Sequence, residues 1–271
     1  MDSDDESSYM TPWPPPEPPP PYTPEDYMLP FFEIDLTFEG KLLALGSRSF
    51  HANDIKQACR DNVGAIDWSN TSVHHEQLIA LSVYIGLTSR NLISLNLSHN
   101  LLGVNGAELL GKALLTNNTI EELNLSYTEL TGNPFRTNFE GICILTKGFE
   151  SPRSVLQDIN LTEVGLQPNG VRLVCCALAF HRSLKVLSLA RNQAGLFKEK
   201  QGCNAIANLL RYSTTLTILD ISENPFQSSA GPELREALQC NRALATLYAT
   251  NCNLSQALSG ISSPTLVNLK L

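Results

Sequence analysis

The stretch Ser98-His99-Asn100 places a hydroxyl, an imidazole and an amide side by side, which are groups that hydrolytic centres use. Catalysis by such a trio also needs an acid that orients the histidine and donors that stabilise an oxyanion. Neither group can be identified here, and the phosphate-binding, zinc-protease and nucleophile-elbow motifs do not occur in the chain. The five histidines also lack the spacing of metal ligands. The sequence therefore predicts a non-enzymatic protein with no catalytic residue, no metal site and no cofactor.

The same stretch belongs to a pattern, L-x-x-L-x-L followed by x-x-N-x-L, that recurs along most of the chain. Copies begin at Val63, Leu92, Ile120, Leu156, Leu184, Leu216, Leu244 and Leu266. A degenerate copy begins at Gly40, and the steps between successive starts are 23, 29, 28, 36, 28, 32, 28 and 22 residues. Self-similarity in this register predicts a repeat architecture.

Each copy changes its hydrophobic period partway along. Its first part alternates apolar and polar residues, which indicates a short strand, and its second part has helical spacing. In the copy that begins at Leu92, one helical face carries Ala107, Leu110, Ala113 and Leu114. A strand followed by a helix in every copy predicts an α/β protein in which parallel strands stack side by side and share one core.

The copies resemble the leucine-rich repeat in the 28–29-residue form of ribonuclease inhibitor-like proteins. The pattern is nearly complete at 92–114, clear at 216–238 and looser elsewhere. The resemblance implies a right-handed horseshoe over 40–271 with about eight repeats, the last one truncated, a parallel sheet on the concave face and helices on the convex face. The family includes ligand-binding regions of immune receptors, actin regulators, ciliary proteins and a GTPase-activating protein.

The asparagine of the pattern has a structural interpretation. The chain must turn sharply after each strand, and a buried amide can pair the backbone donors and acceptors that the turn exposes. Asn100, Asn192 and Asn224 are therefore predicted to hold turns. Weaker substitutes stand at Thr71, Thr128 and Cys252, whereas Val164 cannot serve.

The outward positions predict a binding surface. Alternation places Ser94, Asn96 and Ser98 on the concave face and His99 beside the turn. Aromatic and arginine side chains are frequent interface anchors, which favours a protein partner. The predicted binding residues are Asp67, Asn96, His99, Asn124, Tyr127, Asn160, Glu163, Arg191, Asp220, Glu223 and Tyr248. Two longer copies, near 131–141 and 194–202, add loops at the edge, where function is often located.

Residues 1–39 form a different segment. They contain ten acidic residues and no Lys or Arg, and residues 1–30 contain 10 of the 16 prolines. This composition predicts a disordered, extended arm. The run Pro19-Pro20-Pro21-Tyr22 resembles the P-P-x-Y ligand of WW domains, which would read Pro19, Pro20 and Tyr22. The same prolines would also suit SH3-type or profilin-type partners.

Charge and hydropathy argue against two further classes of protein, those that bind nucleic acid and those that span a membrane. The acidic arm argues against nucleic acid, and no run of apolar residues is long enough to span a membrane. With no secretory signal, the sequence predicts a cytoplasmic adaptor, or else a cytoskeletal or ciliary component. A third hypothesis is a GTPase-activating protein that resembles the Ran regulator.

Because the sequence stops in the strand of a new copy, we expect either a truncated product or an end that a partner covers.

Overall fold

The computed structural model describes residues 54, 55, 57, 63–196 and 200–271. Its strands are three residues long: β1 Ala65–Asp67, β2 Ser94–Asn96, β3 Glu122–Asn124, β4 Asp158–Asn160, β5 Val186–Ser188, β6 Ile218–Asp220, β7 Thr246–Tyr248 and β8 Asn268–Lys270. Its α-helices are α1 His75–Val83, α2 Gly103–Thr116, α3 Glu140–Phe149, α4 Gln167–Leu178, α5 Gln201–Tyr212, α6 Gly231–Cys240 and α7 Ser255–Leu258. A π-helical turn, Tyr84–Thr88, continues α1, and a 3₁₀ turn, Ser228–Ala230, precedes α6.

The strands form a single parallel sheet in sequence order, β1 to β8. Neighbouring strands pair in the same register throughout, so that Leu95 lies between Ile66 and Leu123. Parallel neighbours require a crossover between strands, and the helix of each repeat supplies it. The predicted α/β repeat architecture is therefore confirmed.

The core lies between the sheet and the helices. The central residues of β2 to β7 are at most 2% exposed, because they point towards the helices. The predicted helical face of α2, Ala107, Leu110, Ala113 and Leu114, is 0–4% exposed. Strand and helix residues join one continuous cluster, as expected when no single repeat can bury its own apolar face.

Helices α2 and α3 touch through their backbones. A Cβ added at Gly111 would lie 2.5 Å from the carbonyl oxygen of Ile144, and one added at Gly141 would lie 2.3 Å from that of Val104. Glycine is required at both places because any larger residue would force the helices apart. This close approach occurs beside the 36-residue copy, the longest in the chain.

A row of buried polar side chains, which the sequence analysis did not predict, holds the turns that lead from a helix into the next strand. Asn117, His181 and Asn241 each accept the backbone N–H of the residue three positions later, at 2.9, 3.1 and 2.7 Å. The amides of Asn117 and Asn241 also donate to the carbonyl oxygens of Ile85 and Leu210 in the preceding repeat. His181 thus performs with Nδ1 the task that an amide oxygen performs in the other two repeats.

We expect acid to destabilise the protein through His181. Burial lowers the pKa of this histidine below its ordinary value of 6.5, so the folded state keeps the ring neutral where the unfolded state is protonated. The stability it contributes is present above pH 6.5 and is lost as the pH falls towards the lower folded pKa. His181→Asn, which copies Asn117 and Asn241, should reduce the loss of stability between neutral pH and about pH 5.5.

Urea unfolding followed by circular dichroism at the two pH values measures this effect. The matched control is His99→Asn, a histidine exposed on the surface. An acid-induced loss that is equally large in wild type and His181→Asn would contradict the assignment.

Candidate functional site

The sheet face turned away from the helices, here called the concave face, carries two aligned rows of side chains. The strand row is the last residue of each strand and includes the predicted binding residues Asp67, Asn96, Asn124, Asn160, Asp220 and Tyr248. The turn row lies three residues further on: Asn70, His99, Tyr127, Glu163, Arg191, Glu223 and Asn251. The register of the sheet brings the predicted residues together in these two rows.

Most of the strand row also serves the backbone. One carboxylate or amide oxygen of Asp67, Asn96, Asn124, Asn160 and Asp220 accepts the N–H two residues later, at 2.9–3.1 Å. Such Asx turns need a short acid or amide at this position. For Asp67, the bond from the Ser69 N–H is the main reason that the pKa of the carboxyl is lowered. These residues therefore have a structural role that is independent of any partner.

Ser98 was expected to face outward, and this expectation is wrong. Its side chain is only 5% exposed, and its N–H donates to the Oδ1 of Asn96 at 3.1 Å. The strand ends at Asn96, so the simple alternation of a strand no longer applies two residues later. His99 is exposed and Asn100 is buried, so Ser98, His99 and Asn100 do not share one environment.

All seven residues of the turn row adopt a left-handed backbone conformation, with φ between 52° and 59°. Residues other than glycine rarely adopt it, and the surrounding structure must impose it. Here it lets the first six N–H groups of the row donate to a carbonyl oxygen of the following repeat at 2.8–2.9 Å. The hydrogen-bonding pattern of the sheet thus continues beyond the strands and aims the row's side chains in one direction.

Neighbouring side chains of the turn row contact one another. The rings of His99 and Tyr127 are stacked, with centroids 4.4 Å apart and an angle of 10° between their planes. Arg191 forms an ion pair with Glu163, which is the main cause of the raised pKa of the Arg191 guanidinium. Further along, the amide of Asn251 donates to Glu223 at 2.6 Å. The row is therefore partly ordered before any partner arrives.

Two carboxylates on the concave face lie opposite each other. Glu122 and Asp158 are direct cross-strand neighbours on β3 and β4. Burial, and then the nearby Glu122, raise the pKa of Asp158. Like charges directly opposite each other on adjacent strands are unfavourable for the sheet.

At the β8 end of the sheet, the Lys270 ammonium lies 4.9 Å from the ring centroid of Tyr248, a cation–π contact.

Buried asparagines hold the turns beneath this surface. They are Asn100, Asn192 and Asn224. Through Oδ1 each accepts two backbone N–H groups of the preceding repeat. Through Nδ2 each donates to carbonyl oxygens of both repeats. Side chains that each donate to a backbone carbonyl occupy other turns: Thr71, Thr128 and Cys252. Burial raises the pKa of Cys252 to about 11, so its thiol keeps the proton that it donates. Val164 has no polar group at this position.

Comparison with known proteins agrees with this geometry. The family model described as Leucine Rich repeat matches residues 88–111 and 212–231, two strand-turn-helix segments of the solenoid. The chain contains leucine-rich repeats.

Its leucine-rich repeats are similar to those of larger curated proteins. The human NACHT, LRR and PYD domains-containing protein 13 is 37% identical over 123 residues, which is 43% of this chain and 11% of that protein. The mouse NACHT, LRR and PYD domains-containing protein 14 is 27% identical over 207 residues, which is 73% of this chain and 20% of that protein. The chain thus spans a fifth or less of the length of these relatives.

Two solved structures also align with the chain. The leucine-rich repeat-containing protein LegL7 from Legionella pneumophila gives a TM-score of 0.49 at 18% identity, over 76% of this chain and 73% of that one. The leiomodin-1 actin-binding site 2 gives a TM-score of 0.42 at 17% identity, over 72% of this chain and 91% of that one.

The longest leucine-rich repeat presents an exposed aromatic residue that sequence reasoning missed. Phe135 is 93% exposed in the loop between β3 and α3. The loop is ordered locally, because Asn133 Oδ1 accepts the Phe135 N–H at 2.8 Å and Gln167 donates to Pro134 O at 3.1 Å. Leu101, 75% exposed, lies in the loop after the neighbouring strand, β2. The only signal in the sequence was the extra length near 131–141. In the second long copy, residues 197–199 lie outside the described residues.

Three further predictions concern a metal site, a membrane span and the arm. Within the described residues, no three His, Cys, Asp or Glu side chains converge as a metal site would require. None of the helices in that part of the chain has both the length and the hydropathy of a membrane span. The predicted arm, residues 1–39 with Pro19, Pro20 and Tyr22, lies outside the described residues, as does the degenerate copy at Gly40.

Replacing Asn192 by Ala should destabilise the leucine-rich repeats by about 2 kcal/mol or more. The substitution leaves the buried N–H groups of Val164 and Leu166 without their acceptor, in a turn where Val164 offers no side-chain substitute. Urea unfolding followed by circular dichroism measures the loss. Asn105→Ala, an exposed position on α2, is the matched control and should cost nothing. Equal unfolding midpoints for wild type and Asn192→Ala would refute the role.

Proposed function

We propose that this leucine-rich repeat protein is a non-enzymatic scaffold that binds a protein partner on its concave face and edge loops. The observation that carries the proposal is the stacked His99–Tyr127 pair, which lies in the exposed turn row within the repeats that also present Phe135 and Leu101. Apolar and aromatic groups that stay exposed at the surface are typical of interaction sites.

The order of the turn row supports the same proposal. A partner that meets freely rotating side chains must immobilise them, which costs about 0.5–1.5 kcal/mol for each flexible side chain. Here the stack of His99 on Tyr127 and the ion pair of Arg191 with Glu163 already restrict these groups. The left-handed backbone fixes their direction as well. Less ordering is therefore left for the partner to impose.

The two rows would contribute differently to binding. Most strand-row side chains already accept a backbone N–H, so their remaining polar groups suit a hydrated contact. The turn row and Tyr248 present aromatic rings and a guanidinium, which are the groups that most often dominate the binding energy. We therefore place the energetic centre at Tyr127, Arg191 and Tyr248, and the polar periphery at the asparagines.

The combined variant Tyr127→Ala, Arg191→Ala and Tyr248→Ala should weaken partner binding by at least about tenfold, because it removes all three anchors. Affinity purification of the tagged full chain, followed by quantitative mass spectrometry, measures the loss. Asn105→Ala with Asn204→Ala, two exposed helix positions, is the control and should keep the wild-type partners. An unchanged partner set in the triple variant would remove the concave-face proposal.

We also propose that the arm serves a second module of WW or SH3 type. What supports this is the sequence Pro19-Pro20-Pro21-Tyr22, in which the prolines favour an extended helix that an aromatic groove can grip at low entropic cost. Titration of the full chain with an isolated WW domain should show binding that Tyr22→Ala abolishes. Tyr27→Ala lies outside the motif and should bind like wild type. Binding that survives Tyr22→Ala would count against recognition of this motif.

A further inference from the structure

A second surface lies at the opposite end of the strands from the turn row. Three neighbouring loops form it together with the last residues of α5 and α6. The segments are 179–185, 211–217 and 239–245, and they lead from α4, α5 and α6 into β5, β6 and β7. We call these loops the entry patch. Phe180 is 74% exposed and Tyr212 is 54% exposed, and their rings contact each other with centroids 5.2 Å apart and planes tilted by 36°. More than half of each residue's surface is therefore left exposed to solvent.

The entry patch is basic. Its loops contain Arg182, Lys185, Arg211 and Arg242 and no Asp or Glu. Arg211 already forms an ion pair with Glu236 at 2.9 Å. The Lys185 ammonium donates to the side-chain oxygen of Gln157, the residue before β4, at 2.6 Å. Arg182 and Arg242 are both exposed and each stands four residues before its strand. Because β5 and β7 are separated by one strand, the loops that carry these two residues lie on either side of the β6 loop.

The loops are tied to one another, so the patch is a built surface. Thr215 donates to the carbonyl oxygen of His181 at 3.1 Å. The amide of Asn241 donates to the carbonyl oxygens of Leu210 and Ser213 at 2.6 and 3.3 Å. These bonds join all three loops.

Helix ends account for only part of this arrangement. Arginine near a helix C-terminus is favourable because the last carbonyl groups carry partial negative charge. That effect explains basic residues after α4 and α6, but it offers no reason for Phe180 and Tyr212 to be exposed and in contact. Exposed aromatic rings on loops that also carry exposed arginines form a surface that complements an acidic segment with an apolar side chain.

We propose that the entry patch binds an acidic protein segment that carries an aromatic or aliphatic side chain. The carboxylates of the segment would meet Arg182 and Arg242, and its apolar side chain would pack on the rings of Phe180 and Tyr212. The patch is separate from the turn row, so the protein has two independent interaction surfaces of different chemistry. This inference does not rest on the concave-face proposal.

Fluorescence anisotropy with the full chain tests it. The probe is a labelled peptide rich in Asp and Glu with one central Phe, and its matched peptide has Ala in place of that Phe. The Phe peptide should bind about tenfold more tightly, because it alone buries a ring. Phe180→Ala with Tyr212→Ala should abolish the difference between the peptides. Arg182→Glu with Arg242→Glu should weaken both peptides by about tenfold or more and reduce the salt dependence.

Two controls keep the outcome interpretable. Tyr127→Ala, in the turn row, should leave both peptide affinities unchanged. Since all four substituted residues of the patch are exposed, their variants should keep the thermal unfolding midpoint of wild type. Equal affinity for the two peptides, or no effect of the arginine reversal, overturns the proposal. Tighter binding of a single-stranded RNA than of the Phe peptide would also overturn it and assign the patch to nucleic acid.

Discussion

The structure depends on buried side-chain groups that replace backbone partners on both sides of very short strands. A strand of three residues offers few hydrogen bonds, and the chain must turn immediately before and after it. Asn100, Asn192 and Asn224 pair the backbone after the strands, and Asn117, His181 and Asn241 pair it before them. Unpaired buried N–H and carbonyl groups would each cost free energy comparable to a lost hydrogen bond. These side chains therefore stabilise the turns that connect neighbouring repeats.

That register also organises the surface. Because every strand pairs with the next at the same residue, one outward position per repeat forms a continuous row on the concave face. The left-handed residues extend the same alignment beyond the strands and bring His99 onto Tyr127 and Arg191 onto Glu163. An aligned surface of this kind is a by-product of packing. The backbone fixes where side chains stand, and only their chemistry is left to vary from repeat to repeat.

Most of the fold could be predicted from the chain because its signals are local and repeated. The change of period in each copy indicated strand and helix, and the apolar face of α2 is buried as expected. The predicted binding residues align in the strand row and the turn row, since register in a parallel repeat follows from sequence alignment alone. Ser98 was misplaced because alternation was carried past the end of β2. His181 was overlooked because a lone histidine among asparagines does not look like a member of their row.

By itself, the sequence determined the repeat, the order of strands and helices, and the residues of each row. Those properties depend on spacing along the chain, which a reader can count. The tertiary structure alone decided that Phe135 is presented by an ordered loop, and that Phe180 meets Tyr212 beside two arginines. Such contacts join residues of different repeats or different loops, and their distances depend on how the repeats stack rather than on any spacing in the sequence.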